Sequence, residues 1–400
     1  MNNTVCTRNI NLLYIFTACV NLVFLLPIIL PFYKNQIGLT FHDFLIGESV
    51  FAAGMIVFDV PTGWVADRFG RKYTMTAGAA WYVVCLYLLM SATTFWETIL
   101  AQGAIALAIC LISGANSAFL YDTLLSAGRE GEYRKHESRR FALQLYGCAA
   151  ACVAGAYLYT IAPKLPFLFE MGFMAAGVLA TLFMTEPERH KHITPHHPLR
   201  DMRDTLVYVL AGHRDIAIMI VLMTFTFATT KLVMWSLQAY TSMLGIPESY
   251  NGWIIAAVML FGGLSGHFSH HLLPRLQGRD VLYAMLGILI VALLAGGLLQ
   301  SIFGLVLLTA EAFVYGFAAP RVQESLNRMA DSGRRATILS AANLTTSIGF
   351  IPFSQMVGFM TDHYGIADGL LFHAAVLAVG TAAVYLLTRP RVARTGGAVH

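Results

Sequence analysis

Two ionisable residues lie deep inside otherwise apolar runs: Lys231, in a stretch from 214 to 244, and Glu311, in a stretch from 303 to 327. Holding such a side chain at the centre of a bilayer costs about 2.5–3.5 kcal/mol on insertion scales, so each needs a reason in pairing, ligand contact or proton traffic. Trp235 and Gln238 follow Lys231 at i+4 and i+7 on the same helix face, and Tyr315 follows Glu311 by one turn. Asp59, Glu48, Glu170 and Asp122 complete the short set of acids in apolar surroundings. A carboxylate in such a place can take a proton from one side and release it to the other, and a lysine can neutralise it or hold an anionic group. Covalent chemistry is not indicated, because the chain has no Gly-x-x-x-x-Gly-Lys-Ser/Thr, no His-Glu-x-x-His and no Gly-x-Ser-x-Gly. We therefore expect a protein that is not an enzyme and that needs no cofactor or metal.

The elements that must position these residues are membrane helices. The 400 residues are 57% apolar and 12% charged with a mean hydropathy of +0.64, whereas soluble domains carry about a quarter of their residues charged. Twelve apolar stretches can be marked, at 10–33, 42–66, 74–93, 97–121, 140–162, 165–185, 214–244, 249–272, 281–301, 303–327, 336–361 and 366–388. Each is near the roughly 20 residues that a helix needs to cross the hydrocarbon. Unpaired backbone is not tolerated against lipid, and the runs do not alternate as barrel strands do, so an all-α membrane fold is expected.

Charge placement orients these spans. Most of the 26 Lys and Arg fall in or at the edges of alternate connections or tails; Lys34 and Lys164 lie in the other connections, and Lys231 lies within a helix. Cytoplasmic flanks collect cations, so both termini are expected in the cytoplasm and the net charge of +4 implies no nucleic-acid partner. The six cysteines, Cys6, Cys19, Cys85, Cys110, Cys148 and Cys152, read as small apolar packing residues. Cys19 could suggest a lipoprotein cleavage site, but the apolar run continues past it to Phe32.

The one long polar stretch, near 186–213, holds prolines, charges and four histidines, His190, His192, His196 and His197, with nothing spaced to complete a metal site. It reads as a linker, giving a first six-helix bundle at 1–186, a linker at 187–213, a second bundle at 214–390 and a tail at 391–400. The halves echo each other. Gly131 to Arg140 before span five is matched by Asp331 to Arg335 before span eleven, about two hundred residues on, as a duplication would produce.

Between the second and third stretches lies Gly63-Trp64-Val65-Ala66-Asp67-Arg68-Phe69-Gly70-Arg71-Lys72, preceded by Phe58-Asp59-Val60-Pro61-Thr62. This run resembles the signature loop of the major facilitator superfamily, Gly-x-x-x-Asp-Arg-x-Gly-Arg-Arg/Lys, with Gly63, Asp67, Arg68, Gly70, Arg71 and Lys72 all matching. A later stretch, Gly266 to His271 with Arg275 and Gly278-Arg279-Asp280, echoes it without the Asp-Arg core.

The resemblance implies twelve transmembrane helices in two pseudo-symmetric six-helix bundles, with spans one, four, seven and ten around a central cavity. Lys231 and Glu311 would then face each other across the cavity or its substrate, either as a structural ion pair or as a substrate and proton site. The second reading is preferred because secondary transporters bind at mid-depth. Asn21 and Asn116 would add polar lining or join helices. The loop residues would form a gating latch between helices two and eleven, and Asp59 would join it or receive protons.

Two departures weaken a proton-antiport reading: Ile99 stands where drug exporters of this superfamily carry Arg before the Gln102-Gly103 pair, and span five lacks their Gly-Pro motif. The expectation that follows is a monomeric secondary transporter in a bacterial inner membrane. It would use alternating access for proton-coupled efflux of a drug or metabolite, siderophore-like ligands included. Uptake of an anionic nutrient and lipid flipping by the same fold remain alternatives.

Overall fold

The computed structural model describes residues 1–187, 214–273, 276, 278–329 and 335–388, the last without the side chains of 335–337. The chain order is α1 (Asn3–Val20), α2 (Ile29–Phe32), α3 (Phe41–Phe69), α4 (Arg71–Ser91), α5 (Phe95–Leu125), α6 (Tyr133–Ile161) and α7 (Leu165–Leu182). It continues with α8 (Arg214–Met243), α9 (Asn251–His267), α10 (Arg279–Leu299), α11 (Ile302–Leu308), α12 (Ala310–Met329), α13 (Arg335–Tyr364) and α14 (Ile366–Thr388). There is no strand among the described residues. Nine helices among them are long and apolar enough to cross a membrane; the remaining expected spans fall on α1 with α2, on α9 and on α13. The expected linker from 188 on, the echo at Asp331 to Arg334, Arg275 and the tail at 391–400 lie outside the described residues.

Successive spans alternate in direction, so the turns near 38, 93, 163, 246, 300 and 365 share one end, here the sparse end, where Lys34 and Lys164 lie. The turns near 70, 128, 185 and 270 share the other, the basic end. Local signals start helices at the sparse end: Thr40 with Asp43 and Thr94 with Glu97 form capping boxes for α3 and α5. Helices of the first 187 residues pack on one another, α3 and α4 against α5 and α7 against α4 and α1. Those from 214 onward do likewise, α10 against α14, α9 against α12 and α13 against α8. The two sets meet chiefly where α3 packs on α13 and α6 on α9.

Three expected elements differ in a way that matters for the site. The run from Gly63 was expected as a loop, but α3 continues to Phe69 and only Gly70 separates it from α4. The tenth span is interrupted at Thr309, which leaves Glu311 in the first turn of α12, where the positive end of the helix dipole favours an acid.

The largest departure is the first span, expected as one helix over 10–33. It begins at Asn3 and unwinds between Asn21 and Ile28. Non-helical backbone at membrane depth persists only where protein groups satisfy it. Glu170 of α7 does so, its carboxylate accepting from the Leu25 N–H at 3.0 Å and from the Tyr82 hydroxyl at 3.1 Å. From the other half, Gln238 Nε2 donates to the Leu26 carbonyl at 3.0 Å. Gly155 makes room for the break, since a Cβ there would lie 2.0 Å from the Phe24 oxygen. We expect Gly155→Ala to lower stability by about 1–3 kcal/mol, the scale of overpacking. Gly172→Ala, facing open space, should shift the melting temperature in detergent little.

Candidate functional site

Among the described residues, several polar contacts join the two sets of helices toward the sparse end. Lys231 of α8 pairs with Glu48 of α3, Nζ to Oε2 at 3.3 Å, with side-chain exposures of 33% and 9%. The ammonium also lies 4.2 Å from the Phe350 ring centroid of α13 and 5.7 Å from that of Phe51, close enough for cation–π attraction. One turn nearer the sparse end, Trp235 packs edge-on against Phe44 at 5.1 Å, and Phe44 in turn meets Tyr33.

A second seam joins α3 to α13. Ser49 and Ser354 hydroxyls lie 2.9 Å apart, and Gln355 Nε2 donates to Ser49 at 2.7 Å. His42 Nε2 lies 3.1 Å from Gln355 Oε1, while the His42 backbone N–H donates to Asp362 at 3.2 Å. A carboxylate from α13 thus sits at the N-terminus of α3, where it complements the exposed amides.

Of the two readings of Lys231 and Glu311, the structure shows no ion pair between them among the described residues: the lysine turns to Glu48 in the other half. Glu311 is 5% exposed and makes no hydrogen bond or ion pair among the described residues. Tyr315, one turn on, is 56% exposed and packs edge-on against Phe227, which lies one turn before Lys231 on α8. Both charges thus sit one turn to the same side of a shared aromatic contact, at similar depth. The physical reason for the switch is reach, since the flexible lysine stem can serve any acid around it and sequence spacing cannot rank candidates on separate helices.

The other proposed residues are placed variously. Trp235 Nε1 and Gln238 Oε1 are buried with no hydrogen-bond partner among the described residues, as is Asn116 Oδ1. Asn21 ends α1 and donates locally to the Thr17 carbonyl at 2.8 Å. Asp59 is exposed on α3.

At the basic end the signature residues are held by their own half. Asp67 pairs with Arg71 at 2.7 Å across the Gly70 turn, and Arg71 approaches Asp122 of α5 at 3.5 Å. Glu186 accepts from the Arg71 and Lys72 backbone N–H groups, both at 2.8 Å, capping α4. Gly70 has φ +120°, and a Cβ there would lie 2.8 Å from Glu186 Oε1, so this glycine is required twice over. Gly63 faces open space, Arg68 stacks on Trp64, and Lys72 Nζ donates to the Leu182 carbonyl.

Sequence reasoning missed the equivalent device in the second half. Arg321 of α12 stacks on Phe317 and donates to the carbonyls of Ser269, Leu272, Leu273 and Leu276, gathering the turn after α9. It stands about two hundred residues after Asp122, so comparing the repeats could have found it. An acid holds a basic turn in one half, and a base holds bare carbonyls in the other.

A multi-pass helical membrane protein with two packed sets of helices and a charged seam between them is the architecture of a transporter. The chain belongs to the Major Facilitator Superfamily, whose family model matches residues 12–354. It is 25% identical over 225 residues to the "Uncharacterized MFS-type transporter YxaM" of Bacillus subtilis (strain 168), a match covering 54% of this chain and 55% of that relative. The matched region thus spans about half the length of that curated relative.

Among solved structures, the nucleoside transporter NupG superposes with a TM-score of 0.78 at 15% identity, covering 98% of this chain and 100% of the other. The POT family transporter PepTSo does so with 0.73 at 15%, covering 95% and 97%. A D-xylose-proton symporter gives 0.73 at 12%, covering 97% and 98%. At these identities the likeness is one of fold. The protein is a transporter and not an enzyme.

Glu186→Ala would remove a charged cap from two backbone amides, and we expect a loss of about 1–2 kcal/mol in detergent unfolding. Exposed Lys164→Ala at the opposite end should change stability by no more than about 0.5 kcal/mol.

Proposed function

We propose that this chain is a proton-coupled exporter of a small organic solute, a drug or metabolite, working by alternating access in a bacterial inner membrane. It acts as a monomer with both termini in the cytoplasm. The observation that carries the reading is the set of polar cross-half contacts toward the sparse end, the Lys231–Glu48 pair, the Ser49–Ser354 contact and the His42–Asp362 hydrogen bond. The cation asymmetry of the sequence makes the sparse end the periplasmic one. The state described is then held together on the periplasmic side.

In the opposite state the sparse-end seam parts, and the signature residues Gly63, Asp67, Arg68, Gly70, Arg71 and Lys72 serve as the gating latch between α3 and α13. Glu311 is the coupling carboxylate: it is buried on α12 and makes no hydrogen bond or ion pair among the described residues. Asp59, exposed on the cytoplasmic part of α3, is the alternative proton acceptor. Export is favoured by the signature run with its acidic and Pro-Thr approach, Asp59-Val60-Pro61-Thr62. A second reading, uptake of an anionic nutrient, draws support from Lys231, whose side chain is more accessible than that of its partner.

The test is flux in proteoliposomes under an imposed pH gradient, with a panel of cationic drugs, organic acids, chelators and amino acids. Native protein should move its solute faster with the gradient than without. Glu311→Gln should abolish that acceleration while leaving exchange of solute on both sides. Flux indifferent to both the gradient and the substitution would refute proton coupling through this residue.

A further inference from the structure

We propose that the solute is zwitterionic, carrying an anionic and a cationic group on neighbouring positions, and that it opens the sparse-end seam by exchanging partners with the Lys231–Glu48 pair. The proposal rests on the transport reading above and specifies its substrate class. The two charges are 3.3 Å apart, come from opposite halves of the protein and differ in exposure, Lys231 being a third accessible and Glu48 nearly closed off. Any solute that separates the halves must separate this pair, and each charge then needs a replacement partner in a poorly hydrated place.

Charge balance discriminates among solutes. A simple anion satisfies Lys231 but strands the Glu48 carboxylate; a simple cation satisfies Glu48 and meets the ammonium of Lys231 as a like charge. A neutral solute leaves the pair intact and the seam shut. A zwitterion gives its carboxylate, or an equivalent acid, to Lys231 and its ammonium to Glu48, so that both charges stay paired as the gap widens. Phe51 and Phe350, already within cation–π range of Nζ, would flank the incoming cation.

A second observation points to a ligand at the same place. Trp235 Nε1 and Gln238 Oε1, one and two turns along α8 from Lys231, are buried without hydrogen-bond partners among the described residues. Buried donors and acceptors are rarely left so, and this pair offers a polar solute a donor and an acceptor on the helix that carries Lys231.

The experiment uses the full chain in detergent and in proteoliposomes with matched triads of one carbon skeleton: L-phenylalanine, phenethylamine and 3-phenylpropionate, then L-leucine, 3-methylbutylamine and 4-methylpentanoate, with glycine betaine and L-proline as further zwitterions. The expected result is thermal stabilisation and counterflow by at least one zwitterion and by neither of its singly charged analogues. Lys231→Ala and Glu48→Gln should each weaken that binding by about tenfold or more, the scale of one lost charge-assisted contact. Stabilisation confined to amines or to acids, or absent from the whole panel, overturns the substrate class. Gradient-driven flux of a singly charged solute that is lost in Glu311→Gln would overturn it while sparing the transport reading. Absence of any solute flux would instead remove that reading.

Discussion

The constraint on which this structure turns is that a permanent charge inside a membrane protein is costly unless it is paired. Lys231 and Glu48 meet this by pairing across the seam between the two sets of helices. Each half then carries one member of a contact that neither can satisfy by itself. An ion pair of this sort contributes modest net stability, because desolvation offsets most of the attraction, whereas leaving either charge unpaired is far more costly. That asymmetry suits a moving part: closure is well defined, and opening waits for a replacement partner.

The same accounting governs the backbone. Two spans are discontinuous, the first between Asn21 and Ile28 and the tenth at Thr309. In the first, Glu170 and Gln238 answer amide and carbonyl groups that the helix no longer pairs, and Gln238 comes from the opposite half. In the tenth, the break places Glu311 in the first turn of α12. Irregularity thus falls on two of the spans that the superfamily resemblance assigns to the cavity wall. At the basic end, Gly70, Glu186 and Arg321 keep the corresponding turns compact within each half.

Much of the fold was legible because bilayer physics leaves few options. Apolar runs of membrane length with cations sorted to alternate connections force a helical, multi-pass chain, and the Gly63 to Lys72 run marked the family. The site was legible as a set of members and not as a set of partners. Lys231 and Glu311 are conspicuous as ionisable residues in apolar surroundings, yet nothing in the spacing says that α3 packs on α13 or that Lys231 of α8 reaches Glu48 of α3. The unwound first span left no mark beyond Pro27, since apolar residues over 21–28 look the same wound or unwound. Glu170 was visible as a buried acid, but its role follows only from the break it caps. Arg321 looked like one more cation at a helix end until its four carbonyls were seen.

The central claim is that the sparse-end seam must part in every transport cycle. Ser49 and Ser354 hydroxyls, 2.9 Å apart across that seam, offer the most direct test: Ser49→Cys with Ser354→Cys in a chain otherwise free of cysteine, within reach of a disulfide. Oxidation should cross-link the two halves and stop solute flux in proteoliposomes, and reduction should restore it. Undiminished flux through fully cross-linked protein would contradict the account.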